Sequence, residues 1–283
     1  MKLNTIDYTD PNAPKQFVES LHQTGFGVLS NHPLQKKQLE ALYKNWLSNF
    51  FQKSEEEKQQ YLYQENSQHG YFPTEVSETA KGSDIKDIKE FFQCYQNKPL
   101  PDGLLESTTE YFHLAQQIAS ELLDWVETYS PEDVRKHYSE SLPSMIKDSE
   151  YTMLRVLHYP PMSGDEEPGA IRAASHEDID LLTVLPASNE PGLQVLSKES
   201  EWVDVPCDFG NLIVNIGDML QEASQGYFPS TTHRVVNPTG KATKEPRVSL
   251  PLFLHPRPEV VLSSRYTADE LLKERLRELG LLS

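Results

Sequence analysis

The chain has 283 residues, a formal net charge of −17, and 37% hydrophobic, 24% charged and 10% aromatic residues, an ordinary globular mixture with room for a sizeable core. The charge argues against a default role on nucleic acid, because no Lys/Arg-rich segment is free of interleaved acids, and the acidic surface is read as solvated. No run approaches the ~20 apolar residues of a membrane span, and the N-terminal MKLNTIDYTDPNAP has no apolar signal core.

Residues 1–145 read mostly as helix. Phe17 and Leu21 recur at helical spacing before a short strand over Gly25–Leu29 and a turn at Asn31–Leu34. A long stripe follows through Leu39, Leu42, Tyr43, Trp46, Leu47, Phe50 and Phe51, read as helix core rather than a substrate platform. Ser54 and Glu57 have capping-box spacing. A further helical pattern runs from Tyr111 through Leu114, Ile118 and Leu122 to Trp125.

Near residue 150 the period changes. Short β-type runs are predicted at Tyr151–Leu157, Leu181–Leu185, Gly192–Leu196, Trp202–Val205, Leu212–Ile216, His233–Val236 and Arg247–Leu254, separated by Pro, Gly, Asn and Asp. This rhythm suits an antiparallel sandwich or jelly roll better than a βαβ fold. Thr267 as N-cap and Glu270 at the third helical position open a closing amphipathic helix. The expected division is 1–145 helical, 146–258 β-rich and 259–283 a C-terminal helix. Two cysteines, Cys94 and Cys207, make no disulfide framework and are expected reduced, in a cytoplasmic protein.

His176-Glu177-Asp178 offers an imidazole and a carboxylate two residues apart, which on an extended strand point to the same side. His233, at the head of another β-type run, can supply a third donor. Two imidazoles and a carboxylate on one face leave open positions and suit iron(II). A lone H-x-D is weak evidence, since such tripeptides arise by chance. Arg247 and Ser249 repeat the same spacing shortly after His233. A guanidinium and a hydroxyl side by side make a clamp for a carboxylate. The competing reading pairs Arg247 with an acid of the N-terminal part, and the pattern alone leaves both open.

The strings HYPP (158–161), HEDIDLLTVL (176–185), GLQV (192–195), NIGDMLQEASQGYFPSTTHRVVN (215–237) and RVSLPLF (247–253) resemble the isopenicillin N synthase-like iron(II)/2-oxoglutarate oxygenases. FVESLHQTGFGVLSNHPL (17–34), GYFP (70–73) and IKEFF (88–92) are similar to that family's N-terminal part, so the likeness covers almost the whole chain. The resemblance implies a distorted double-stranded β-helix, an α+β fold with a mainly β core. It implies iron(II) ligands at His176, Asp178 and His233, and contacts to the far carboxylate of 2-oxoglutarate from Arg247, Ser249 and Tyr159. Phe253 matches a position that often lines the substrate pocket.

The implied reaction consumes 2-oxoglutarate and O2, releases succinate and CO2, and oxidises a C–H bond of a small molecule by hydroxylation, desaturation or cyclisation; ascorbate is a further cofactor candidate. Two departures stand out. Leu157 replaces an Asn that in many relatives helps hold the cosubstrate. Glu177 replaces a Thr or Ser and is expected to point away from the metal. His158 and His255 are read as non-ligands, Asp180 as a solvated rim residue, and Cys207 as no nucleophile. An oxidase with the same triad but no 2-oxoglutarate, an ascorbate-dependent oxidase and a non-catalytic metal-dependent sensor remain the alternatives.

Overall fold

The computed structural model describes residues 2–64, 67–76, 85–188 and 190–280. Its strands form two sheets. The larger runs Thr5–Asp7, Phe26–Ser30, Leu212–Ile216, Leu182–Pro186, Leu252–Leu254, Met153–Tyr159, Glu90–Cys94 and Gly70–Phe72, with Arg247–Ser249 also paired to Met153–Tyr159. The smaller runs Ala173–His176, His233–Val235, Leu193–Leu196 and Trp202–Asp204. Phe26, Val28 and Ile213 of the first pack against Ala173, Leu193, Val195 and Val235 of the second, so the sheets face each other across a shared apolar layer. This is the double-stranded β-helix expected from the sequence.

The N-terminal part is less helical than its sequence suggested. It extends the larger sheet at both edges, through Thr5–Asp7 and Phe26–Ser30 on one side and Glu90–Cys94 and Gly70–Phe72 on the other. The last two strands are buried along their whole length, so they carry no alternation for a sequence reading to detect. Helices cover the sheet's outer side. Leu105–Tyr129 buries Phe112, Ile118, Ala119, Leu122 and Leu123, and packs on helix Ala13–Thr24 and on strand Leu252–Leu254. The stripe beginning at Leu39 is core, as expected. A π turn over Leu47–Phe51 lets both Phe50 and Phe51 face inward, and Trp46 Nε1 donates to Thr108 Oγ1 at 3.0 Å. Both capping boxes form, at Ser54/Glu57 and Thr267/Glu270, the second opening helix Ala268–Glu278.

Most strand bounds shift by a residue or two from the sequence reading, and larger differences occur as well. The run expected at Tyr151–Leu157 occupies Met153–Tyr159. Arg247–Leu254 is split, because Pro251 has no N–H to give the ladder; its carbonyl accepts from Arg155 N at 3.0 Å. Ala173–His176 is a strand that its short, polar sequence did not announce.

Candidate active site

Alternation along Met153–Tyr159 turns Met153, Arg155, Leu157 and Tyr159 towards a cleft of about 1740 Å³. The partner strands add Phe91 and Gln93 on one side and Arg247, Ser249 and Phe253 on the other. His176 and His233 come from the facing sheet. They sit directly opposite each other on adjacent antiparallel strands, ring centroids 4.4 Å apart.

The strand ends at His176, so Asp178 does not share it as expected. Asp178 lies in the segment just beyond, where its backbone carbonyl accepts from Asp218 N at 2.8 Å. Its Oδ1 is 3.8 Å from Nε2 of both histidines, and one donor atom from each of the three residues lies within 4.8 Å of the others. Each imidazole is oriented by its other nitrogen. His176 Nδ1 meets Ala174 O at 2.8 Å and His233 Nδ1 meets Thr231 O at 3.1 Å, a geometry in which Nδ1–H donates and Nε2 keeps its lone pair for a metal. Asp178 Oδ2 accepts from Thr183 Oγ1 at 2.5 Å and from Asn215 Nδ2 at 2.7 Å, which leaves Oδ1 facing the imidazoles.

Electrostatics agree with this geometry. Burial disfavours charge on Asp178, but His233, His176 and the bonds from Thr183 and Asn215 outweigh it and hold its pKa below the usual carboxylate value. Burial, with His176 alongside, lowers that of His233. Near neutral pH the site therefore presents a carboxylate and an unprotonated buried imidazole, the forms that bind a cation. Two nitrogens and one oxygen converging from one side fit iron(II) with positions left open for ligands.

Asp180 is not a solvated rim residue. It is fully buried, and its Oδ2 accepts from Leu254 N at 3.0 Å and Thr183 Oγ1 at 3.1 Å. Burial and the neighbouring Asp178 charge push its pKa well above the carboxylate range. A Cβ on Gly217 would lie 2.3 Å from Asp180 O, so a glycine is required where the two segments touch.

Arg247 is buried opposite Tyr159 in the strand register, with its guanidinium 5.6 Å from that ring's centroid. Its Nε and Nη1 have no hydrogen-bond partner, and among the described residues no carboxylate pairs with it. The structural reading, an ion pair to the N-terminal part, is thus not what is found. A buried, unpaired guanidinium calls for an anion. Ser249 is buried on the same face of the cleft. Arg172, which the sequence reading passed over, is buried behind the same phenol, 5.6 Å from its centroid.

Phe253 lines the cleft, with the Arg155 guanidinium 5.5 Å from its centroid. Leu157 packs with Phe72, Phe91 and Tyr159, an apolar wall where relatives of the resembled family offer an amide. Glu177 turns aside to accept from Thr232 Oγ1 at 2.7 Å. His158 lies on the far side of its strand, with Nδ1 2.7 Å from Glu90 Oε1, in a buried cluster where Glu90 also accepts from Lys58 and Tyr71. His255 is half-buried at the cleft, outside the triad, and desolvation of its ring lowers its pKa to about 4. Cys94 and Cys207 are both free.

A facial two-histidine, one-carboxylate cluster inside a double-stranded β-helix, beside a cleft with an unpaired cation, defines a non-haem metal oxygenase class. The 2OG-Fe(II) oxygenase superfamily profile matches residues 151–256, and that of the non-haem dioxygenase in morphine synthesis N-terminal matches 3–116. A Shewanella oneidensis protein assigned as an oxygenase is 56% identical over the full length of both chains, with a TM-score of 0.90. The chain therefore belongs to the 2OG-Fe(II) oxygenase superfamily. Arabidopsis thaliana gibberellin 2-beta-dioxygenase 3 is 32% identical over 53% of this chain, a match spanning 43% of that relative's length. A Neurospora crassa protein, solved at full length in complex with alpha-KG, has the same fold, with 23% identity, coverage of 97% and 96%, and a TM-score of 0.81. Among the described residues no helix is long and apolar enough to cross a membrane.

Proposed function

We propose that this chain is an iron(II)- and 2-oxoglutarate-dependent oxygenase that oxidises a C–H bond of a small molecule, with release of succinate and CO2. The observation that carries this reading is the buried Arg247, unpaired by any described carboxylate, in the same cleft as the His176, Asp178 and His233 cluster. The three donors hold iron, and Arg247, Ser249 and Tyr159 hold the far carboxylate of the keto acid. Bound iron supplies O2 activation and the oxidising power that a protein side chain lacks.

The chain's own residues do the rest. Arg247 gives two charge-assisted donors and Ser249 and Tyr159 a hydroxyl each, which fixes the far end of the cosubstrate. The apolar wall of Leu157, Phe72 and Phe91 limits water beside it. Phe253 and the cleft beyond it receive the substrate. Asp178 keeps its charge through Thr183 and Asn215, and no step requires it to take a proton. The acidic charge favours a small molecule over nucleic acid. Two free cysteines accord with a reducing cytoplasm. Residues 146–258 carry the metal and cosubstrate, 1–145 and 259–283 the flanking walls.

The test is succinate formation from 2-oxoglutarate with iron(II) and O2, screened against a metabolite library with ascorbate present and absent. Iron-dependent succinate, absent in Asp178→Ala, is expected. Substrate turnover without succinate would instead make it an oxidase in which Arg247 grips the substrate's own carboxylate.

A further inference from the structure

Beside Tyr159, outside the cleft lining, lies a buried cation that the proposed function does not use. Arg172 precedes strand Ala173–His176 and is 1% exposed. Its Nη2 reaches one backbone carbonyl, Glu245 O, at 3.5 Å, while Nε and Nη1 have no partner. No described carboxylate pairs with it; Glu190 acts on it only through space. Its guanidinium lies 5.6 Å from the Tyr159 ring centroid, the same distance as that of Arg247, whose Nε and Nη1 are also unpartnered.

Two buried guanidiniums around one phenol repel each other and have each lost most of their hydration. The aromatic face offsets only part of that cost. A cluster of this kind is stable in a fold when an anion completes it. Tyr159 lines the cleft while Arg172 stands behind it, so Arg172 acts on an occupant through the phenol and through its field. Burial raises the pKa of the Tyr159 hydroxyl; Arg247, Lys89 and, more weakly, Arg172 oppose that shift, against Asp87, and the opposing cations make it a better hydrogen-bond donor.

We propose that Arg172 is a positioning residue for the cosubstrate's far carboxylate, which makes the site select dicarboxylic over monocarboxylic 2-oxo acids through Tyr159. This rests on the 2-oxoglutarate reading. Arg247 touches the carboxylate; Arg172 fixes the ring that donates to it and adds the second positive charge that a single carboxylate shares.

The experiment measures binding, not turnover. The iron(II)-loaded protein is titrated without O2 against 2-oxoglutarate and against 2-oxopentanoate, which has the same chain length and no far carboxylate. The visible band of the chelated keto acid reports each affinity. Arg172→Gln is expected to weaken 2-oxoglutarate about tenfold, the order of a unit charge acting across several ångströms of protein, and to leave 2-oxopentanoate within about twofold. Arg172→Lys keeps the charge and should recover most of the selectivity. Equal loss for both ligands, or no loss for either, overturns the inference, because a merely structural arginine does not discriminate between them. The ratio is read within one folded sample; if Arg172→Gln does not fold, Arg172→Met, which also removes the charge, carries the test, with selectivity within about twofold of the wild type as the contrary result. If Arg247→Leu loses selectivity and Arg172→Gln does not, the inference falls and the cosubstrate reading stands. If the wild type gives no band with 2-oxoglutarate, the reading itself falls.

Discussion

Asn215→Ala should weaken iron(II) binding although Asn215 offers the metal no usable ligand of its own. Asn215 lies in strand Leu212–Ile216, is 3% exposed, and donates from Nδ2 to Asp178 Oδ2 at 2.7 Å. A hydrogen bond to a buried charged group contributes ~1.5–3 kcal/mol. Thr183 Oγ1 at 2.5 Å still serves the same oxygen, so the lower half of that range applies. That corresponds to about ten- to fortyfold weaker binding, the scale on which partners of ligand residues act in metal sites. Asp178 should also take up a proton at higher pH in the variant, because one of the bonds that lower its pKa is gone. Iron binding should therefore fall off earlier on acidification than in the wild type. The assay is anaerobic competition with a chromogenic chelator across pH, with circular dichroism to confirm the fold. Affinity within twofold of the wild type at every pH would refute the argument that Asn215 holds the carboxylate in its binding form.

Arg247→Leu should raise the half-saturation for 2-oxoglutarate by about a hundredfold or more, the ~3–5 kcal/mol of a broken buried ion pair, and leave iron binding near normal; steady-state kinetics and iron titration check both. Glu90→Gln should cost ~1.5–3 kcal/mol of stability at pH 7, since Lys58 Nζ, 2.6 Å from the Glu90 carboxylate, would keep only the exposed Glu55 carboxylate at 3.0 Å. Burial opposes the Glu90 charge, but bonds from His158, Lys58 and Tyr71 prevail and lower its folded pKa. The contribution is thus present above the unfolded value of ~4.3 and lost as pH falls through the folded one, so denaturation curves of the two proteins should converge in acid. Arg275→Ala removes the 2.6 Å contact to Asp218 Oδ2 that ties helix Ala268–Glu278 to the cleft; it should raise the KM of the main substrate about two- to fivefold, the weight of a half-exposed pair, without changing that of 2-oxoglutarate.

The chemistry of the site was more legible than its surroundings. His176, Asp178, His233, Arg247 and Ser249 are polar residues at strand spacings that core residues do not need; the spacing alone left their roles open, and the ordered motifs around them pointed to the site. What hid were groups whose meaning depends on contacts between distant segments. Asp180 looks like a third acid on a rim, yet Thr183 and Leu254 enclose it. Arg172 carries no motif of its own, and only its place behind Tyr159 marks it. Asn215 is one polar residue in an apolar run until Asp178 is brought to it. The same holds for the fold. The β rhythm after residue 150 was visible because turns punctuate it. Strands Gly70–Phe72 and Glu90–Cys94 were not, because a strand buried on both faces has no period to read. Ala173–His176, which delivers the first histidine, is too short and too polar to look like a strand before its partner His233–Val235 is known.

The central claim is that one cleft binds iron(II) through His176, Asp178 and His233 and a dicarboxylic keto acid against Arg247. The most direct measurement is the visible spectrum of the wild-type protein, titrated without O2 first with iron(II) and then with 2-oxoglutarate. A weak band that saturates at one keto acid per bound iron is predicted, together with its loss in His233→Ala. Stoichiometric iron binding with no band at any 2-oxoglutarate concentration would contradict the account.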